Sequence, residues 1–490
     1  MVCLRQTVRC ANQARVHVST CSLVARKLTR MNDAEGKRSN RNVVPTVSEV
    51  LADSTIVELV YMPEEHTTQF AVYAAGQWSL EDRIETGGKV LVPFSPDNNL
   101  IKNDVVLLPS EPQDYGSVEQ LIADVQAFIH RYVDVTPAFE EVATHYVLLS
   151  WVYDAFNEMP YLRLRGDFGT GKTRTLLTIG SLCYKAFFAS GASTVSPIFH
   201  TLDAFRGTFI FDEADFRFSD ERAEIVKVLN NGNVRGMPVL RTMMNRQKEF
   251  NPQAFQVFGP KIAATRSNYD DKGLESRFLT EDMGARRLRS DVPVNLPPQF
   301  KEEAQELRNK LLMYRFHHRH TAKLNDKLVD PKLEPRLNQI LMPLLSIIEE
   351  PSTRAKLKAL ALDAYSNIVA ERSLSIEAQV LEIMVQCMGE TEHAVVSIQE
   401  ITTRMIQQYG SEYDRPITNR WIGSVLRRRL HLHTYKSHGI YVIPTSERVK
   451  VVQLCARFGV DIEFKVGIAE AAEEQNQTVQ SGDVGTSETQ

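Results

Sequence analysis

The sequence predicts an α/β fold, a parallel sheet with helices on both faces, and three observations predict it. Between Tyr161 and about Met283 strand and helix signals alternate: strand 161–165, helix from Gly171, strand 186–190, helix from Pro197, strand 208–212, helix 220–230, strand 261–265. Parallel neighbours need a crossover between them, and an α-helix is the usual one, so this alternation reads as a parallel sheet. A glycine-rich run, GDFGTGKT at 166–173, links the first strand to its helix. The apolar run from Thr208 to Phe211 ends in two adjacent carboxylates, Asp212 and Glu213.

The flanking segments follow in chain order. Residues 1–42 read as a leader or disordered segment. The first thirty carry Arg5, Arg9, Arg15, Arg26, Lys27 and Arg30, no acid, and three of the six cysteines. A transit peptide has that composition, and so does a translated leader ahead of a true start at Met31. From 43 to 112 short β-like runs (Ile56–Val60, Phe70–Tyr73, Val90–Val92) alternate with turn-rich stretches, predicting a small β-rich domain. In a helical linker, 113–158, Ser117 with Gln120 forms a capping box, and Thr136 with Pro137 opens a second helix. The α/β core spans 159–294, and 295–390 has the three-to-four-residue apolar spacing of a helical lid or bundle. Over 391–460 the order helix, helix, hairpin is that of a winged helix: Ser397 with Glu400 caps the first helix, the second runs from Thr418 to Leu430, and the hairpin turns at Ser437-His438-Gly439. From Asp461 onward seven acids stand against one lysine, so 461–490 reads as a disordered acidic tail.

Bulk properties exclude some classes. Lys plus Arg number 57 and Asp plus Glu 61, a net charge of −4, so any nucleic-acid surface has to be local. Cys3, Cys10, Cys21, Cys183, Cys387 and Cys455 form no CxxC pair, against both a zinc module and a secreted disulfide scaffold. A cytoplasmic setting is the default expectation. No apolar run approaches the roughly 18 residues of a membrane span.

The glycine-rich run has the chemistry of a triphosphate site. Gly166, Gly169 and Gly171 let the backbone of Asp167, Phe168 and Thr170 curl so that its N–H groups face a β-phosphate. Lys172 supplies a charge to the β and γ oxygens, and Thr173 a hydroxyl to Mg²⁺. The helix after the loop points its positive end at the phosphates. Asp212 is expected to hold Mg²⁺ and Glu213 to deprotonate the attacking water. The string DEAD at 212–215 is an accidental match to the DEAD-box RNA helicases, since no second half with its own motifs follows.

These residues resemble the AAA+ P-loop ATPases, and within them the hexameric DNA helicases similar to the minichromosome maintenance proteins and the replication ATPases of phages and mobile elements. The resemblance covers about 160–350. It implies that Thr265, or Arg266 beside it, is a sensor between the acidic pair and the γ-phosphate. It implies also that Arg277 in GLESRF is an arginine finger reaching a neighbouring subunit's ATP, the competing reading being a salt bridge to Glu275 or Asp282. Arg336 in the lid is either a second nucleotide sensor or a solvated helix start. Arg241, Arg246 and Lys248 lie near the middle of a hairpin that in the resembled helicases enters a central pore and grips DNA; a solvated basic loop is the alternative.

Residues 397–450 hold nine Lys or Arg against four Asp or Glu. Arg420, Arg427 and Arg428 leave the apolar face of the 418–430 helix, and Lys436 and His438 decorate the hairpin, as DNA phosphate contacts require. Protein interaction or packing is the competing use of such a module. His317, His318 and His320 form no metal site, because adjacent helical residues do not share one face. The first expectation is a hexameric, ATP-hydrolysing motor that unwinds or translocates on DNA in replication, with ATP and Mg²⁺ as cofactors. The alternatives are an ATP-gated initiator or regulator that binds DNA without unwinding it, and a protein remodeller with the β-rich domain as adaptor.

Overall fold

The structure, a computed structural model, describes residues 43–212, 220–244, 250–269, 271–284, 288–331, 333–373, 375–390, 395–413 and 416–461. The leader, the acidic tail, Glu213, Arg246 and Lys248 lie outside the described residues. Two compact units divide the chain, residues 1–361 and 362–490.

The first unit opens with β1 (Val43–Thr46), β2 (Ser48–Val50), β3 (Ile56–Met62), β4 (Thr67–Ala74), β5 (Gln77–Glu81), β6 (Ile84–Thr86) and β7 (Lys89–Pro93). They form an antiparallel sheet β2-β3-β4-β5 and a second sheet β1-β7-β6 in which β1 runs parallel to β7. The sequence signal marks β3, β4 and β7 because their central residues are buried and apolar; the other four are short and mostly exposed. Glu58 on β3 is buried with its carboxylate 2.7 Å from Lys185 Nζ and 2.6 Å from Arg315 Nε, and it accepts from the Ser48 hydroxyl at 2.7 Å and the Tyr184 hydroxyl at 2.8 Å. Burial raises this carboxyl, but the charges of Lys185 and Arg315 outweigh it and hold the group below its ordinary range. Burial brings Lys185 down to about 8. The β-rich segment is thereby fastened to the core rather than tethered beside it.

Two helices follow. α1 (Val118–Tyr132) starts where the Ser117 hydroxyl accepts from the Gln120 N–H, and α2 (Pro137–Val152) where the Thr136 hydroxyl accepts from the Phe139 N–H. Both caps stand where the sequence puts them.

The core contains β8 (Tyr161–Arg165), α3 (Lys172–Gly180), β9 (Phe187–Ser190), α4 (Val195–Phe205), β10 (Phe209–Asp212), α5 (Asp220–Asn231), the antiparallel hairpin β11 (Val239–Met244) and β12 (Phe250–Phe255), β13 (Lys261–Thr265) and β14 (Phe278–Asp282). The sheet is wholly parallel in the order β14-β8-β13-β10-β9. This is the parallel sheet of an α/β fold that the sequence predicts. α4 starts two residues before Pro197, because a proline in the first turn gives up no intrahelical hydrogen bond. β14, unmarked in the sequence reading, is an edge strand with Glu281 and Asp282 at its end, so its apolar signal is short.

The helices α6 (Gln299–His318), α7 (Pro335–Ile347) and α8 (Pro351–Ser373) come next, and the division between units falls within α8. The second unit has α9 (Ile376–Glu390), β15 (Val396–Ser397), α10 (Ile398–Tyr409), α11 (Asn419–Ser424), β16 (Tyr435–Ser437), β17 (Ile440–Ile443) and α12 (Arg448–Phe458). α9, placed with the helical bundle from sequence, packs against α10 and α12 and shares their core of Leu381, Met384, Ile401, Met405 and Leu426. The helix expected over 418–430 changes character after Ser424: Val425–Arg429 is π-helical, and the Leu430 N–H reaches back to the Val425 carbonyl. β15, β17 and β16 form an antiparallel sheet whose hairpin turns at His438 and Gly439, both at positive φ. Among the described residues no helix is long and apolar enough to cross a membrane.

Candidate functional site

The carboxyl edge of the parallel sheet collects the predicted nucleotide residues. The loop 166–171 leaves β8, Asp212 ends β10, and Thr265 ends β13, the strand between them. Ligands of open α/β sheets bind outside this edge. Gly169 and Gly171 adopt φ of 75° and 87°, where a side chain would be strained, and a Cβ on Gly166 would stand 2.6 Å from the Met283 carbonyl oxygen. The loop therefore has to be glycine at these points to curl over the start of α3.

Lys172 Nζ donates to the Gly166 and Asp167 carbonyls at 2.6 and 2.7 Å, and the Thr170 hydroxyl donates to the Asp167 carbonyl at 2.9 Å. Among the described residues no carboxylate pairs with Lys172, so its charge favours an anion in the loop. Thr173 Oγ1 donates to Asp212 Oδ2 at 2.6 Å. A hydroxyl and a carboxylate held together are hard oxygen donors of the kind Mg²⁺ takes, so the residues fit the ion expected from the sequence. A cavity of about 350 Å³ lies over these groups, lined by Phe168, Lys172, Thr173, Asp212, Ala264 and Arg266 among others. The Thr265 hydroxyl, between the lining residues Ala264 and Arg266, is buried without a hydrogen-bond partner. Arg266 stacks over the exposed Phe168 ring at 3.6 Å. Of the two residues read as sensors, Arg266 lines the cavity and Thr265 does not, and Glu213 lies outside the described residues.

Arg277 sits at the opposite edge. It immediately precedes β14, and its carbonyl accepts from the Tyr161 N–H at the start of β8. Five residues at about 3.3 Å each separate the two edges by roughly 16 Å, beyond reach of its own loop. The two carboxylates considered as partners are occupied: Glu275 by Arg163 in a buried pair, and Asp282 by Arg165. Arg277 instead donates to the Asn230 amide oxygen, and its Nε has no partner. Partial burial, with the nearby charge of Arg336 next in importance, lowers its pKa. Arg336 lies 3.4 Å from where a Gly273 Cβ would be, in the turn before Arg277. Arg336, read from the sequence as either a second nucleotide sensor or a solvated helix start, stands at the edge of the sheet away from its own phosphate loop. Asn230, the partner that positions Arg277, gave no sequence signal because an asparagine at a helix end is commonplace.

The hairpin β11–β12 exists as expected, but Arg241 is not offered to solvent alone. It ion-pairs with Glu224 and stacks over Phe199 at 4.7 Å, because alternate residues of β11 face the body of the unit. The outward face carries the exposed Leu240 and Phe250. In the second unit Arg420, Arg427, Arg428 and Lys436 are all exposed. Arg427 donates to the Thr434 hydroxyl at 3.2 Å and stacks over Tyr441, which pairs across the hairpin with Lys436. Arg427 and Lys436 thus lie close together where the π-helical turn meets the hairpin. His317 and His318, read as pointing apart, both bond the Tyr115 hydroxyl, at 3.0 and 3.1 Å. A single central oxygen reaches two adjacent side chains that a common helical face does not. Among the described residues no cluster of metal-binding type is present.

No family model matches the chain, and neither does any curated protein. Solved structures similar to it include the C-terminal region of NrS-1 (12% identity, 79% of this chain and 96% of that one, TM-score 0.33). Another is an active helicase, Cch of SCCmec type IV (10% identity, 85% and 80%, TM-score 0.37). A third is a full-length MCM homolog from Methanopyrus kandleri (12% identity, 61% and 68%, TM-score 0.34).

Proposed function

We propose that this chain is an ATP-hydrolysing motor acting on DNA, assembled so that each subunit's Arg277 serves the nucleotide site of a neighbour. The observation that carries the reading is the separation of Arg277 from its own phosphate loop by the length of the sheet. An arginine kept half-buried, held by a neutral amide and excluded from its own site, suits a charge supplied in trans to the transferring phosphoryl group.

In this scheme the loop N–H groups and Lys172 hold the phosphates, and Thr173 with Asp212 would hold Mg²⁺, whose contribution is to draw charge from the β and γ oxygens. Glu213 orients and deprotonates water, and Thr265 or Arg266 senses the γ-phosphate from the adjoining strand end. The exposed arginines Arg420, Arg427 and Arg428, with Lys436, support DNA backbone contact by the C-terminal unit in the manner of a winged helix. A hexameric ring is the assembly this reading favours. An ATP-gated DNA-binding regulator shares the C-terminal surface but has no need of Arg277.

Steady-state ATP hydrolysis, with and without single-stranded DNA, separates the two. The motor predicts DNA stimulation, loss of activity in both Glu213→Gln and Arg277→Ala, and partial recovery when the two variants are mixed. Slow hydrolysis indifferent to DNA and to Arg277→Ala would leave the regulator standing.

A further inference from the structure

Arg277 is carried on a short piece of chain with its own internal bracing. Asp271 opens the helical turn Lys272–Glu275. Its Oδ1 accepts from the Gly273 N–H at 2.8 Å and the Leu274 N–H at 3.3 Å, and its carbonyl accepts from the Leu274 and Glu275 N–H groups at 3.0 and 2.9 Å. A side-chain acceptor at a helix start fixes the turn that follows. The Arg277 N–H then donates to the Leu274 carbonyl at 3.0 Å, so the turn sets where the Arg277 backbone stands before β14 begins.

The second oxygen of Asp271 faces another element. Asp271 Oδ2 accepts from Asn230 Nδ2 at 2.9 Å, and Asn230 Oδ1 accepts from Arg277 Nη1. An arginine only donates and a carboxylate only accepts, so the amide has one orientation available between them. The end of α5 that carries Asn230 is itself tied down. The Leu229 carbonyl accepts from the Tyr161 hydroxyl at 3.0 Å, and the Gly232 carbonyl from the buried Lys261 Nζ at 3.2 Å.

Charge is spread unevenly along this chain of bonds. The Asn230 amide, more than any other group, holds Asp271 below the usual carboxylate range, so the acid is ionised at neutral pH. Among the described residues no carboxylate pairs with Arg277: Asp271 reaches it through a neutral amide, and Glu275 and Asp282 are held by Arg163 and Arg165. The positive charge of Arg336 weighs more on Arg277 than the negative charge of Asp271. A guanidinium aimed by an uncharged group keeps its charge for an anion from elsewhere, whereas a carboxylate partner would bind it strongly in place.

We propose that Asn230 and Asp271 are positioning residues that act through Arg277, fixing its direction by a neutral contact and leaving its charge for a phosphate of the neighbouring subunit's nucleotide. The proposal rests on the reading of Arg277 as a residue supplied in trans. It makes neutrality at position 230 a requirement, because aspartate, of the same size, sets a carboxylate against Arg277 and ties the arginine to its own subunit.

Steady-state ATP hydrolysis and calorimetric MgATP binding by the full-length protein test it. Asn230→Ala, Asp271→Ala and Asn230→Asp should each lower kcat about tenfold, the scale of one hydrogen bond to a charged group. MgATP affinity should stay unchanged, which also shows the chain folded. Asn230→Ala combined with Arg277→Ala should be no slower than Arg277→Ala alone. Wild-type kcat in Asn230→Asp would show that neutrality is not needed, and wild-type kcat in Asn230→Ala or Asp271→Ala that the pair positions nothing; either result overturns the proposal. So does MgATP binding that weakens in step with kcat, the mark of a general structural role, or a double variant slower than Arg277→Ala. Unchanged kcat in Arg277→Ala removes instead the trans reading on which the proposal stands.

Discussion

Thr173, in the first turn of α3, and Asp212, at the end of β10, share a 2.6 Å hydrogen bond, although 38 residues separate them in the chain. Groups that act as a unit give non-additive losses. Thr173→Ala and Asp212→Asn should each reduce Mg²⁺-dependent ATP hydrolysis by about 100-fold, the usual scale for loss of one electrostatic element. The double variant should be little worse than either single one, and full multiplication of the two effects in a steady-state assay would show independent roles.

Arg277→Ala should lower kcat by roughly 1,000-fold or more, as for other arginines supplied to a transferring phosphoryl group. Nucleotide binding should survive, because the residue stands at the edge of the sheet away from its own loop. Paired measurements of kcat and of ATP affinity check both halves of the expectation.

Glu58 neutralises two buried cations, Lys185 and Arg315. Glu58→Ala leaves the buried Lys185 without a carboxylate, and Arg315 with Asp154 alone, and should cost about 3–5 kcal/mol of stability. Denaturant unfolding of the first unit's signal measures it.

Lys261 is buried, donates to the Gly232, Val257 and Gly259 carbonyls, and is brought by burial to about 7. Its folded value lies below the unfolded one near 10.5, so the unfolded chain holds the extra proton between these limits. The penalty on the charged form is complete below pH 7 and is relieved as pH rises toward 10. The melting temperature of wild type should therefore rise relative to Lys261→Met between pH 7 and 9, and parallel curves would refute this.

Arg427 and Arg428 stand exposed on the π-helical turn. If both meet phosphates, Arg427→Ala with Arg428→Ala should weaken DNA binding about equally for all sequences and flatten the dependence of log K on log salt by about 2. Filter binding at several salt concentrations reads that slope.

The core and its loop were legible because period, glycine spacing and a carboxylate-ended strand are all local signals. Ser117, Thr136, Ser397 and Thr418 marked helix starts for the same reason: a cap and the N–H groups it satisfies are only three residues apart. Tertiary partners were not legible. Nothing local says that Arg241 meets Glu224, that Arg336 settles beside Gly273, or that Tyr115 gathers His317 and His318 from some 200 residues away.

If Arg277 serves a neighbour's phosphate loop, as proposed, their opposed placement restricts symmetry. A two-fold dimer is isologous: it sets each patch against its own copy, or exchanges two patches that lie on one contact surface. A loop and an arginine on opposite edges of one sheet are poorly served by that arrangement. They suit a heterologous, head-to-tail contact, and such contacts propagate until a rotation closes them or a filament grows. In a closed cycle every arginine finds a site, whereas an open arc leaves one loop unserved at one end and one arginine idle at the other.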